Sequence, residues 1–304
     1  MDIVPSDIEL VQKMFEGFSH EAIDTGEAVI HVCHGGSGPP VLLLHGVPET
    51  HLMWHDVAPR LARDFTVVAT DLRGYGDSSK PPSTPDHAPY SKRAMARDQI
   101  EVMRRLGFER FLLVGHDRGA RCAYRLALDH PERVLKLAVL DIVPTGEAFR
   151  HADSRLALAY WIWFMLAQPQ DVPERIVGAN PRLFLDYMLD HWSVDSSCFS
   201  EELRSEYLRR FSRPETIHAI CEEYRASSTL DRMHDESDRG RRFITCPVLA
   251  LWSRRGFLET WADVLATWRE WAHDVRGRAL DCGHFLAEEA AEETAGELWT
   301  FLVS

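Results

Sequence analysis

Cations are in short supply in this 304-residue chain: 34 Lys and Arg stand against 47 Asp and Glu, a formal charge of −13. That balance excludes nucleic acid and anionic membrane as partners, because neither is drawn to a field of that sign. An anionic ligand would have to be held by cations gathered locally. Cysteine is sparse and scattered, and Cys33, Cys122, Cys198, Cys221, Cys246 and Cys282 include no C-x-x-C pair. A disulfide framework is therefore not expected, and free thiols in a reducing cytoplasm are. Long apolar runs are missing as well: the longest, Leu156 to Ala167, falls short of the ~20 residues that a membrane span needs. The amino-terminal M-D-I-V-P-S-D has neither the basic start nor the apolar core of a secretory signal. No internal repeat is present. Gly74-Tyr75-Gly76-Asp77 is too short for a phosphate loop and reads as a turn, and P-P-S-T-P at 81–85 as a surface loop.

What is present is enough apolar sequence, 45% of the chain, to bury a large core. Compact unalternating runs at Val41–Leu44, Phe65–Ala69, Phe111–Val114, Leu135–Leu140 and Val248–Leu251 suit central strands covered on both faces. Amphipathic patterns over Ser91–Leu106 and Arg118–Leu128 lie between them. The alternation predicts an α/β fold with a mostly parallel sheet and helices on both faces. It breaks from about Thr145 to Arg232, a stretch rich in Trp, Tyr and Arg that reads as helices without a strand. The expected organisation is a core of 1–144 and 233–304 and a helical cap of 145–232. The cap would roof the carboxyl ends of the strands, where open α/β sheets bind ligands.

The chemistry concentrates at V-G-H-D-R-G-A-R, residues 114–121, directly after an apolar run. Gly115-x-Asp117-x-Gly119 has the spacing of the strand-to-helix elbow that exposes a nucleophilic serine, with a carboxylate in its place. An aspartate serving only as a helix N-cap would not need glycines two before and two after it. A nucleophile needs a base oriented by a third group. His284, in D-C-G-H-F before the final helix, stands where that base is expected. The usual acid position, after Val248–Leu251, reads W-S-R-R-G-F-L and holds no carboxylate before Glu259. Asp141 ends the preceding strand and is the expected orienting acid. His45-Gly46-Val47-Pro48 resembles an oxyanion loop, so the amides of Val47 and Arg118 are the expected oxyanion donors. His45 reads as structural. His51 and His55 stand four apart, a spacing metals use, but no third ligand is near in sequence and no metal is expected. Glu288, Glu289, Glu292 and Glu293 read as a solvated helix face.

A carboxylate nucleophile suits displacement at a saturated carbon, either of halide or by epoxide opening. Arg118 and Arg121, three apart on one helix face, favour a substrate carboxylate held by guanidinium forks, and hence a 2-halo acid.

The stretches G-H-D-R-G-A-R-C-A-Y-R-L-A-L-D-H-P and L-A-V-L-D-I-V-P-T resemble the haloacetate (fluoroacetate) dehalogenase family of α/β-hydrolases. H-G-V-P, D-L-R-G-Y-G-D-S, C-E-E-Y-R-A and G-H-F extend the similarity over nearly the whole chain. The resemblance implies Asp117 as nucleophile, Asp141 and His284 as its partners, and Arg118 with Arg121 as the carboxylate clamp. It implies halide binding by Trp163 and Tyr224, with Ile162 where the family has a histidine and Val47 where it usually has Phe. It also implies a homodimer working without a cofactor on short haloacids, while the departure at Ile162, which offers no donor, favours chloro- or bromoacetate over fluoroacetate. An epoxide hydrolase on the same Asp–His–Asp machinery and a non-catalytic ligand-binding protein of this shape are the rival readings.

Overall fold

The computed structural model describes residues 14–304; the amino-terminal stretch read above against a secretory signal lies outside them. The described residues form one eight-stranded sheet: β1 (Ser19–Asp24), β2 (Val29–Gly36), β3 (Pro40–Leu44), β4 (Thr66–Thr70), β5 (Phe111–His116), β6 (Val134–Leu140), β7 (Val248–Ser253) and β8 (Val275–Leu280). Their spatial order is β1-β2-β4-β3-β5-β6-β7-β8. β2 runs antiparallel to β1 and β4, and every other pair is parallel.

All six residues of β5 are buried, as are four of the five in β3 and in β4. Helices on both faces require this, and it is why these strands read as unbroken apolar runs. The edge hairpin β1–β2 has no such run. Five of the six β1 residues are exposed, so no apolar pattern marked it. The helices Lys92–Arg105 and Asp117–Asp129 match the amphipathic stretches to within a residue or two.

The parallel register levels the carboxyl ends of the strands. Leu44 stands opposite Gly115, His116 opposite Leu140, Leu140 opposite Leu251, and Ser253 opposite Leu280. The next residues of β3, β5, β6 and β7 therefore emerge side by side. The chain leaves β3 for β4 on one side, while β5 lies on the other, a crevice of the kind in which open sheets bind ligands.

Between β6 and β7 the chain is helical, from Thr145 to Asp238. The boundary expected at Arg232 falls within a continuous helical run. Pro214–Ala226 passes through a π turn at Ser227–Asp231 into Arg232–Asp238. This last helix is tied to the sheet-covering layer by Asp235, which accepts from Tyr124 Oη at 2.8 Å and from the Arg125 guanidinium at 2.7 Å.

Candidate active site

The elbow after β5 explains its own sequence. Asp117 has φ +42°, a left-handed conformation costly for a non-glycine residue. It is held by close packing around it. A Cβ on Gly119 would lie 2.4 Å from the Leu44 carbonyl oxygen, and one on Gly115 2.6 Å from the backbone of Ala120. Only glycine lets the elbow fold this tightly against β3. The Asp117 side chain is thereby presented beyond the sheet edge, where its Oδ2 accepts from the Val47 amide at 3.2 Å. No such bond is seen from the Arg118 amide among the described residues. Burial works against ionisation of Asp117, but His284, Arg118, His116 and Arg121 outweigh it and hold the carboxyl below its usual range. Asp117 is therefore ionised at neutral pH.

Asp141, at φ +54°, turns its carboxylate back across the ends of β6 and β7. Its Oδ2 meets His284 Nδ1 at 2.6 Å, and its Oδ1 accepts from the Ser253 amide at 2.9 Å. An acid at the end of β6 thus does the orienting work, while the end of β7 contributes a backbone donor. Glu259, the first acid after β7, is engaged by Trp252 Nε1 instead. His284 Nδ1 is committed to Asp141, which leaves Nε2 as the nitrogen not engaged by that acid. A further support lies behind it: His116 Nε2 donates to the His284 carbonyl at 2.8 Å, and His116 Nδ1 meets Glu49 Oε2 at 3.0 Å.

The two arginines lie in one cavity with Asp117, Asp141 and His284, a space of about 300 Å³. Arg118 is buried, with Nε donating to Glu223 Oε1 and one Nη to Ser227 Oγ, both at 2.7 Å. Arg121 donates through Nη1 to the Val143 carbonyl and to Thr145 Oγ1, both at 3.1 Å. Its Nε is buried without a partner. Each guanidinium stacks on a cap aromatic, Arg118 at 4.1 Å from the Tyr224 ring centroid and Arg121 at 4.5 Å from that of Trp163. The indole Nε1 of Trp163 is also buried and unpartnered. Unpartnered donors from Arg121 and from the indole of Trp163 therefore lie in the same cavity as the Arg118 guanidinium and an ionised aspartate.

The α/β-hydrolase fold family matches residues 39–291. The chain is 46% identical to a fluoroacetate dehalogenase of Burkholderia sp, over 95% of both chains. The chain is an α/β-hydrolase of the haloacetate dehalogenase type. It is also 34% identical to a soluble epoxide hydrolase of Corynebacterium sp. (strain C12), over 89% of this chain and 92% of that one. A crystal structure of a Nostoc sp PCC 7120 protein, described as a candidate α/β hydrolase, superposes with a TM-score of 0.93 at 56% identity, covering 95% of this chain and 99% of that one.

In this hydrolase Asp117, Arg118, Arg121, Asp141, Trp163, Tyr224 and His284 share one cavity wall, and Val47 reaches it through its amide. Ile162 is not among the residues that line it and is buried at 2% exposure. Its helix, Trp161–Leu166, turns Trp163 toward the arginines and Ile162 into the apolar core. Tyr160, which no sequence signal singled out, does line the cavity.

Glu223 was hidden in plain sight within C-E-E-Y-R. It is fully buried and takes Arg118, Lys92 and the Tyr75 hydroxyl at once. A buried acid in a helix otherwise read for its tyrosine was the available signal. His45 is structural as expected, with Nδ1 donating to the Gly46 carbonyl and Nε2 accepting from the Leu72 amide. The acidic run after His284 corrects the expectation of a solvated face. Glu292 and Glu293 are exposed, but Glu288 is buried against Tyr207 Oη, and Glu289 accepts from the amides of Gly283, Phe285 and Val194.

Proposed function

We propose that this hydrolase converts short 2-haloacids to 2-hydroxyacids through an ester on Asp117. The single observation that carries the reading is the pair of stacked guanidiniums beside an ionised carboxylate nucleophile. A clamp of that charge and shape suits a small carboxylate whose neighbouring carbon carries the leaving group.

In this mechanism an Asp117 oxygen attacks the carbon bearing the halogen. The carbon–halogen bond breaks and the halide leaves with its electron pair. Trp163 Nε1 and Tyr224 Oη are the donors assigned to the departing halide. His284 Nε2 then takes a proton from water, and the hydroxide adds to the Asp117 carboxyl carbon. Negative charge on the former carbonyl oxygen is stabilised by the Val47 amide and, once the intermediate forms, by the Arg118 amide. Collapse breaks the bond between that carbon and the alkyl oxygen, and His284 returns the proton to the hydroxyacid. Asp141 keeps the imidazole oriented throughout. No step calls for a metal or an organic cofactor.

The reading treats 145–232 as the cap over a core of 1–144 and 233–304, places the protein in the cytoplasm and takes it as a homodimer, which sedimentation equilibrium checks. No helix among the described residues is long and apolar enough to cross a membrane. Chloro- and bromoacetate are the favoured substrates, because fluoride depends most on donors as it leaves and only Trp163 and Tyr224 are assigned to that task.

One observation favours a second reading. Tyr160 and Tyr224 both line the cavity from the cap side, and two tyrosine hydroxyls could protonate an opening epoxide. Turnover of chloroacetate, chloroacetamide and a neutral epoxide separates the two. Chloroacetate alone is expected to react at speed. Equal turnover of the amide would discard the clamp, and preference for the epoxide would install the second reading. The covalent step is checked with His284→Asn, which is expected to be alkylated at Asp117 by chloroacetate without releasing product. Stoichiometric halide release that leaves the variant unmodified by mass spectrometry would exclude the ester.

A further inference from the structure

Three histidines far apart in sequence meet at the edge of the sheet opposite β8. His20 lies on β1, His31 on β2, and His51 opens the short helix His51–Trp54. The β1–β2 register pairs Ala22 with His31 and His20 with Cys33, which puts both histidines on one face of the hairpin. The loop from β3 carries His51 to that face four residues after Val47. We infer that His20, His31 and His51 form a binding site for a divalent transition-metal ion of the zinc class, joining the β1–β2 edge to the loop that supplies the Val47 amide.

The geometry supports this in three ways. One ring nitrogen from each histidine lies within 4.8 Å of the others. His20 Nδ1 and His31 Nε2 stand 3.4 Å apart, close to the ~3.3 Å edge implied by metal–nitrogen bonds of about 2.0–2.1 Å in a tetrahedral site. A hydrogen bond between those two rings would account for that pair but not for His51. The His51 ring is fully buried, and its Nε2 has no partner. Its other nitrogen, Nδ1, bonds to Asp71 Oδ1 at 2.8 Å. A carboxylate behind a histidine is the usual outer support of a metal ligand, since it fixes which nitrogen faces the ion.

The surroundings fit a cation. Asp71, which meets His51 Nδ1, is itself fully buried. Arg210, the cation on this side, is engaged by Asp77 and Glu206. His20 is exposed and His31 half-buried, which leaves an entry path and a fourth position for water. His55, paired with His51 on sequence spacing, is not part of the cluster and bonds instead to the Leu52 carbonyl.

Calorimetric titration with Zn²⁺, visible absorption with Co²⁺ and thermal unfolding with Zn²⁺ test the site on the full chain. Wild type is expected to bind one equivalent there and to unfold at a higher temperature with zinc present. His20→Ala and His31→Gln lie on the hairpin rather than in the core. Each is expected to weaken binding by more than the roughly 10-fold that losing an outer partner typically costs. His218→Ala, in the separate Glu174–His218–Glu222 group, is expected to leave the affinity unchanged. No zinc uptake by wild type, uptake unaffected by the hairpin substitutions, or uptake abolished by His218→Ala would each overturn the assignment.

Discussion

Arg121 shows how much one side chain is asked to do. Its Nη1 is tied to the Val143 carbonyl and Thr145, its plane lies over Trp163, and its Nε points at nothing in the protein. Lysine keeps the charge but neither the planar stack nor the second donor edge. Loss of a charge-assisted bond costs ~1.5–3 kcal/mol, so Arg121→Lys is expected to lower kcat/KM for chloroacetate by roughly 10- to 150-fold. An effect below threefold in steady-state kinetics would contradict a role in holding the carboxylate. Trp163 makes the complementary case. Trp163→Phe keeps a ring under Arg121 and removes only the indole N–H. Fluoride has the most concentrated charge and the strongest bond to carbon, so it depends most on donors that act as it leaves. One donor is worth ~1–3 kcal/mol. The ratio of fluoroacetate to chloroacetate efficiency should therefore fall by about 5-fold or more in this variant. An unchanged ratio would relieve the indole of halide binding. Ile162 can contribute no donor and is not among the lining residues, so Trp163 and Tyr224 carry the question of halogen preference.

At the scale of elements, the helical stretch between β6 and β7 is coupled to the elements around the sheet through charge as well as apolar contact. The helix Pro214–Ala226 delivers Glu223 into a pocket formed by Arg118 at the elbow, Lys92 at the start of Lys92–Arg105, and Tyr75. All four groups are buried. Burial alone would raise the Glu223 carboxyl, but Arg118 and Lys92 overcome it and hold the group below its usual range. Removing one partner of such a buried set leaves charge uncompensated, at a typical cost of ~3–5 kcal/mol. Glu223→Ala is expected to lower stability in denaturant titration by about that amount and to raise KM for haloacetates, since Arg118 loses its anchor. A variant as stable as wild type would mean that the two cations find water or each other's surroundings tolerable without the acid.

For the whole molecule, pH acts through a carboxyl pair behind His116 and His284. Glu49 is fully buried and raised to about 7 by that burial, with the Asp117 charge adding to it. Glu288, also buried, is raised well above its usual range by burial and by Glu49. The folded protein holds protons that the unfolded chain releases near the ordinary carboxylate range, about 4.3. Stability from Glu49 is therefore complete below that range and is lost as pH rises through about 7. Each tenfold change in proton affinity between the folded and unfolded chain is worth about 1.4 kcal/mol, so the loss is on the order of 3 kcal/mol. Glu49→Gln, which keeps the shape and cannot ionise, is expected to flatten the fall in Tm between pH 5 and 8. The same slope in the variant would place the titrating group elsewhere.

The elbow, the central strands and the helix bearing Arg118 and Arg121 were legible because each is a local pattern. A strand buried on both faces must be an apolar run, and an aspartate elbow packed against β3 must sit between two glycines. Asp141 stood out for a similar reason: a carboxylate ended one strand and none ended the next. Hairpin β1–β2 was not, because an exposed edge imposes no apolar period. What only the tertiary structure decided are the contacts made across long stretches of chain. Asp141 and His284 are 143 positions apart, and Arg118 and Glu223 are 105 apart. The unpartnered donors of Arg121 and Trp163, the withdrawal of Ile162 into the core and the meeting of His20, His31 and His51 belong to the same class. Composition and periodicity specify which face of an element is buried. Which distant groups then share that burial is set by strand order and register, and those are properties of the packed sheet rather than of any segment in it.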